Sequence, residues 1–191
     1  MNIDITNKND LVQLFNLLTI NSNSKHRALL SNFLEILTVL RGIKPGYIGS
    51  KKDFDLLELY NLLPNSREYV YYPRINLIVN QKNVKNLDYD PNTLSTSVFS
   101  EDSYKLGTLL GYPCPGIDTG SKSYTSVSFN LITSQMFRDL FNYNDKYTIN
   151  ITGYRCTTAV NYMDLYIYNE LLDNYFNNVL KFGKVVLTTS S

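Results

Sequence analysis

The stretch Tyr124-Thr125-Ser126-Val127-Ser128-Phe129-Asn130-Leu131-Ile132 alternates apolar and polar residues with a period of two. Val127, Phe129 and Leu131 fall on one face, and Ser126, Ser128 and Asn130 on the other. That is the pattern of a strand with one face in a core. Residues 146–152 repeat it, and residues 184–187 read as a final strand. Thr133 is placed to cap a short helix over 134–141, and a longer helix over about 158–181 closes with Phe182-Gly183.

Upstream the period changes. Residues 10–20 carry Leu11, Leu14, Phe15, Leu17 and Leu18 at helical spacing. Residues 25–41 place Leu29, Leu30, Phe33, Ile36, Leu37 and Leu40 on one broad face. After a turn at 44–49, Ser50 or Asp53 opens a third helix that runs to Tyr60, ahead of Pro64. Residues 68–72 and 74–80 are rich in Tyr, Val and Ile and read as strands, with Pro73 marking a break between them. Residues 82–97 read as a loop, and Ser100-Glu101-Asp102 caps a short helix that ends at Gly111. The expectation is an α+β fold: a helical N-terminal third, then a mixed, mainly antiparallel sheet with a long C-terminal helix. It is read as a single domain over 1–191, with a helical subdomain over 1–63 as the alternative division.

Composition excludes several classes. The 191 residues are 43% hydrophobic and 18% charged, which suits a chain with a core rather than a disordered one. No apolar run approaches the roughly 20 residues of a membrane span, so no membrane role is expected. The opening Met1-Asn2-Ile3-Asp4 lacks a secretory signal pattern, which predicts an intracellular, cytoplasmic protein. Eighteen basic and seventeen acidic residues, thinly spread, argue against nucleic acid as a partner. Heavy use of Asn, Tyr, Leu and Ile suits an AT-rich coding sequence, as in some large DNA viruses and some bacteria. For a viral protein, host cytoplasm or the virion would be the location.

The run Leu106-Gly107-Thr108-Leu109-Leu110-Gly111-Tyr112-Pro113-Cys114-Pro115-Gly116 is the most distinctive segment. It reads as a helix ending on a glycine, followed by a rigid turn that carries a thiol. Residues 106–114 resemble a motif of an uncharacterised prokaryotic family in which a helix ending Leu-Gly-Tyr-Pro leads into cysteines. Pro115 stands where that family's second cysteine would be, and the resemblance implies no function.

Three catalytic candidates follow. Cys114 is a candidate nucleophile with His26, the sole histidine, as its base and Asp118 as an orienting group. Against that, a thiol beyond a helix C-terminus lacks the field that favours thiolate, and a buried cysteine is commonly a small hydrophobe. Asp118-Thr119-Gly120-Ser121 also matches the short aspartic-protease signature, with Ile117 ahead of it. Such an enzyme needs two aspartates sharing a proton, hence a homodimer; the competing reading is a solvated turn.

No metal site is expected from one histidine and two cysteines 42 positions apart, and no cofactor from a chain without a phosphate-binding glycine motif. The basic, glycine-bearing stretch 44–52 opens onto a helix N-terminus where an anion could dock, though a plain interhelix turn is the favoured reading. The remaining anomaly is tyrosine, 16 in all. Tyr69, Tyr71 and Tyr72 crowd together, and Tyr162, Tyr166 and Tyr168 ride the last helix near Tyr175. Tyrosine is enriched at interfaces because its large ring carries a polar tip. The leading expectation is therefore a non-catalytic protein-binding or structural module, with a protein partner or self-association. A Cys114-dependent thiol hydrolase or transferase is the alternative, and a dimeric aspartic hydrolase the third.

Overall fold

The alternating stretch Thr125–Thr133 forms the middle strand of an antiparallel sheet. The computed structural model describes residues 2–20, 22–63, 68–96, 102–113, 124–156 and 159–191. Its elements run α1 (Lys8–Thr19), α2 (His26–Leu40), β1 (Gly46–Ile48), α3 (Lys51–Leu59), β2 (Tyr69–Tyr72) and β3 (Leu77–Asn80). They continue with α4 (Ser103–Leu109), β4 (Thr125–Thr133), α5 (Gln135–Phe141), β5 (Thr148–Cys156), α6 (Tyr162–Asp173) and β6 (Gly183–Ser190). The fold is α+β, helical first and closed by α6 and a strand. Among the described residues the strands form two antiparallel sheets, ordered β1-β3-β2 and β5-β4-β6.

The larger core gathers α1, α2, α5 and α6 against the β5-β4-β6 sheet. Val127, Phe129 and Leu131 of β4 enter it as their alternation predicts, while Asn130 on the other face bonds Asn150 of β5. An irregularity beside Phe129 shifts the β4–β5 register, so that Ile151 and Thr152 are both buried. The smaller core holds Ile75, Leu77, Val79, Leu94, Leu106, Leu109 and Leu110. Strand β3 lies between the two: Leu77 and Val79 face the smaller core and Ile78 the larger.

Local chemistry places the ends. Asn7 caps α1, and Ser50 with Asp53 forms a reciprocal capping box on α3. Gly111 ends α4 at φ +73°, where an added Cβ would lie 2.2 Å from Pro45 Cδ. Three local expectations need correction. Residues 46–48 of the expected turn pair with β3, because the turn region also supplies a strand edge. Ser134, not Thr133, caps α5, since Thr133 still belongs to β4 and bonds Tyr147. The C-terminal helix begins at Tyr162 and passes through a π-helical turn, Asn174–Val179, before the chain reverses.

Candidate protein-interaction surface

Helix α6 is apolar on two opposite sides, and one core cannot cover both. Its inner side sends Leu165, Tyr168 and Leu172 into the larger core, where Tyr168 meets Phe129 edge-on at 4.8 Å. Its outer side carries Tyr162, Met163, Tyr166, Ile167 and Leu171, each between 47% and 66% exposed. Helical spacing arranges these as two parallel ridges, Tyr162–Tyr166 and Met163–Ile167–Leu171. The two tyrosine rings lie 6.4 Å apart. No lysine or arginine occurs on α6, whose charges are Asp164, Glu170 and Asp173. Scattered exposed hydrophobes are ordinary on a protein surface; five on one three-turn helix form a patch of the size that marks interaction sites.

The structure divides the tyrosines that the sequence grouped. Tyr162 and Tyr166 face outward, whereas Tyr168 and Tyr175 are buried. Tyr69 lies in the larger core, Tyr72 packs on the smaller one, and the Tyr71 hydroxyl donates to Asn76 Oδ1 at 2.7 Å. Those three contribute to packing rather than to a free surface. Met163, Ile167 and Leu171 were missed. Their signal was present: apolar residues on two opposite sides of one helix cannot all be covered by a single core.

Cys114 and Asp118, and with them the Asp-Thr-Gly motif, lie outside the described residues. His26 lies at the start of α2, with Nε2 2.7 Å from the Phe141 carbonyl oxygen. A carbonyl only accepts, so that nitrogen carries the ring proton. The ring also meets Phe15 edge-on at 5.7 Å and Tyr143 at 6.3 Å. These contacts tie α2 to the end of α5.

A buried polar cluster joins α2, the approach to β1, and β5. Lys44 Nζ bonds Glu35 Oε1 at 2.6 Å and lies 5.0 Å from the centre of the Tyr112 ring. Tyr112 stacks on Tyr154 at 4.5 Å, and the Tyr154 hydroxyl donates to the Pro113 carbonyl. Burial pushes the hydroxyls of Tyr47, Tyr112 and Tyr168 up from their usual pKa, and the Glu35 charge adds to the effect. The Lys44–Glu35 pair and the Tyr112–Tyr154 stack tie α2 to the approach to β1 and to β5.

Two of the clefts among the described residues bear on these elements. One of about 170 Å³, lined by residues including Ile48, Leu110, Tyr112, Tyr154 and Arg155, is smaller than the ~300 Å³ at which ligand pockets usually begin. The other, about 400 Å³, opens between α1, α2 and α3. There Lys52 Nζ donates to the Ile20 carbonyl at 2.7 Å, and the Asp53 carboxylate accepts from Ser50 N. An anion at the start of α3 would meet that carboxylate. Among the described residues no group of three His, Cys, Asp or Glu side chains is placed to hold a metal ion. No helix among them is long and apolar enough to cross a membrane. Compared with known proteins, the chain matches no family model, no curated protein sequence and no solved structure.

Proposed function

We propose that the protein is a non-catalytic protein-binding module whose contact surface is the outer face of α6. The observation that carries this reading is the pair of apolar ridges, Tyr162–Tyr166 and Met163–Ile167–Leu171, on a helix whose other side already fills the core. The composition of the patch supports it. Tyrosine and methionine are favoured at interface centres, while lysine is depleted there and absent from α6. The patch works by removing apolar surface from water, and its tyrosine hydroxyls keep it soluble when uncovered.

The test is photo-crosslinking inside cells from benzoylphenylalanine placed at position 163 or 167, with position 55 on α3 as control. The expected result is a discrete protein adduct, whether to a second copy or to another protein, from positions 163 and 167 but not from 55. Equal labelling at all three, or no adduct, would overturn the proposal.

A further inference from the structure

The parity of β6 is fixed at its start. Ser134 N donates to the Phe182 carbonyl at 2.8 Å, and the register with β4 then runs unbroken from Gly183 to Ser190. Even-numbered residues therefore turn their backbone groups to β4, and odd-numbered residues turn theirs outward. At Val185 both outward groups are taken by α6: the N–H donates to Asp173 Oδ1 at 2.8 Å, and the carbonyl accepts from Asn169 Nδ2 at 3.3 Å. On the opposite edge of the sheet, Ser31 and Arg27 of α2 donate to the carbonyls of Asn150 and Thr148. At Leu187 and Thr189 the outward groups meet no partner among the described residues. Such a short open edge is a template for another strand.

The open stretch lies beside the tyrosine ridge. Val185 is level with Asn169 and Asp173 of α6. From there to Thr188 the strand rises ~10 Å. The antiparallel helix covers that rise in roughly six to seven residues, which brings it to about position 164. Thr188 is thus level with the gap between Tyr162 and Tyr166, and helical spacing puts both tyrosines on the flank that carries Asn169 and Asp173.

We infer that a second copy of the chain occupies this place, joined β6 to β6 about a two-fold axis at Thr188, so that two three-stranded sheets become one. The inference deepens the reading of the tyrosine ridge of α6 as a contact surface and rests on it; the Met163–Ile167–Leu171 ridge stays uncovered in the joined pair. The edge is self-complementary. With Thr188 at the axis, Leu187 of one copy faces Thr189 of the other, and the open groups close about four N–H···O bonds. Centring on Leu187 would instead oppose Thr189 to Val185, whose groups are already bonded.

The same rotation lays the two α6 helices antiparallel on one side of the joined sheet, Tyr162 of each copy against Tyr166 of the other. Their charges stay apart. The two Glu170 residues fall ~18 Å from each other along the helices, beyond a Debye length of about 8 Å. Asp164 occupies the flank opposite the tyrosines. One operation thus covers both the open strand edge and the adjoining ridge. The two half-exposed tyrosines supply on the order of 200 Å² of ring surface per copy, a small interface for which a weak, concentration-dependent dimer in the range of about 1–100 μM is expected.

The experiment is sedimentation velocity across that range, paired with hydrogen exchange on the unmodified chain and with Thr189→Pro. Proline at 189 removes an outward N–H and no bond to β4. The expected result is a mass that doubles from 22.0 kDa with concentration, exchange at the Leu187 and Thr189 amides slowed at least about tenfold only in the dimer, and a folded, monomeric Thr189→Pro chain. A monomer throughout overturns the inference, as does a dimer whose Leu187 and Thr189 amides exchange freely. The exchange result decides even if the proline variant does not fold. A monomer that still crosslinks to a different protein from position 167 leaves the α6 reading standing and removes only the second copy.

Discussion

Lys44 Nζ lies 2.6 Å from Glu35 Oε1, and the lysine side chain has no exposed surface while the glutamate keeps 23% of its own. A lysine enclosed in this way depends on its partner, because an unpaired buried charge costs far more than a missing pair. Glu35→Ala is therefore expected to lower the unfolding free energy by about 3 kcal/mol or more. Lys44→Met, which removes the charge and keeps the stem, costs less, and the double variant recovers part of the Glu35→Ala loss. Urea titrations of the three variants check this. A Glu35→Ala chain as stable as the unmodified one would show that Lys44 reaches water.

The buried tyrosines set an alkaline limit. Burial raises the pKa of Tyr47, Tyr112, Tyr168 and Tyr175 above the ordinary value of 10.0. Their folded-state pKa lies above the unfolded one, so the stability they contribute is complete below pH 10 and is lost as pH rises beyond it. Each such group lowers the unfolding free energy by about 1.4 kcal/mol per pH unit above that point until its own folded-state value is reached. The expected outcome is cooperative unfolding above pH 10, with a late step in phenolate absorbance that coincides with loss of circular dichroism. Smooth titration of all 16 tyrosines near pH 10 in a still-folded chain would contradict the packing described.

Gly183 opens β6 at φ +141°, and a Cβ placed there would lie 1.9 Å from the Ile132 carbonyl oxygen. Neither the backbone angle nor the contact tolerates a side chain. Gly183→Ala is expected to cost about 2–4 kcal/mol, among the larger single-substitution losses, and to disturb the start of the β4–β6 ladder. Thermal melts measure the loss, and amide exchange at Ile132 and Lys184 locates it. An unchanged midpoint would mean that the chain enters β6 by another path.

Periodicity carried much of the architecture. Val127, Phe129 and Leu131 named the buried face of β4, and the leucines of α2 named its inward side, because burial selects residues at the repeat of each element. The pairing of Gly46–Ile48 with β3 was not legible, since three residues are too few to show an alternation and their glycine and proline neighbours signal a turn. Nor was the separation into two sheets, which depends on which distant strands meet. The α6 surface was half legible. Tyr162 and Tyr166 stood out by residue type, but Met163, Ile167 and Leu171 look like core until Leu165, Tyr168 and Leu172 are seen to fill it. The Lys44–Glu35 pair joins residues nine positions apart across the end of α2, a contact that no spacing rule for helices anticipates.

Leu165 and Ile167 stand two residues apart on opposite sides of α6, one wholly buried and the other 51% exposed. The most direct test of the account is the unfolding free energy of Leu165→Ala beside that of Ile167→Lys, measured in dilute solution. Leu165→Ala is predicted to lose about 2–5 kcal/mol, and Ile167→Lys to stay within about 0.5 kcal/mol of the unmodified chain. A loss at Ile167 as large as that at Leu165 would show that the chain itself covers the outer face, and the face would then have nothing to offer a partner.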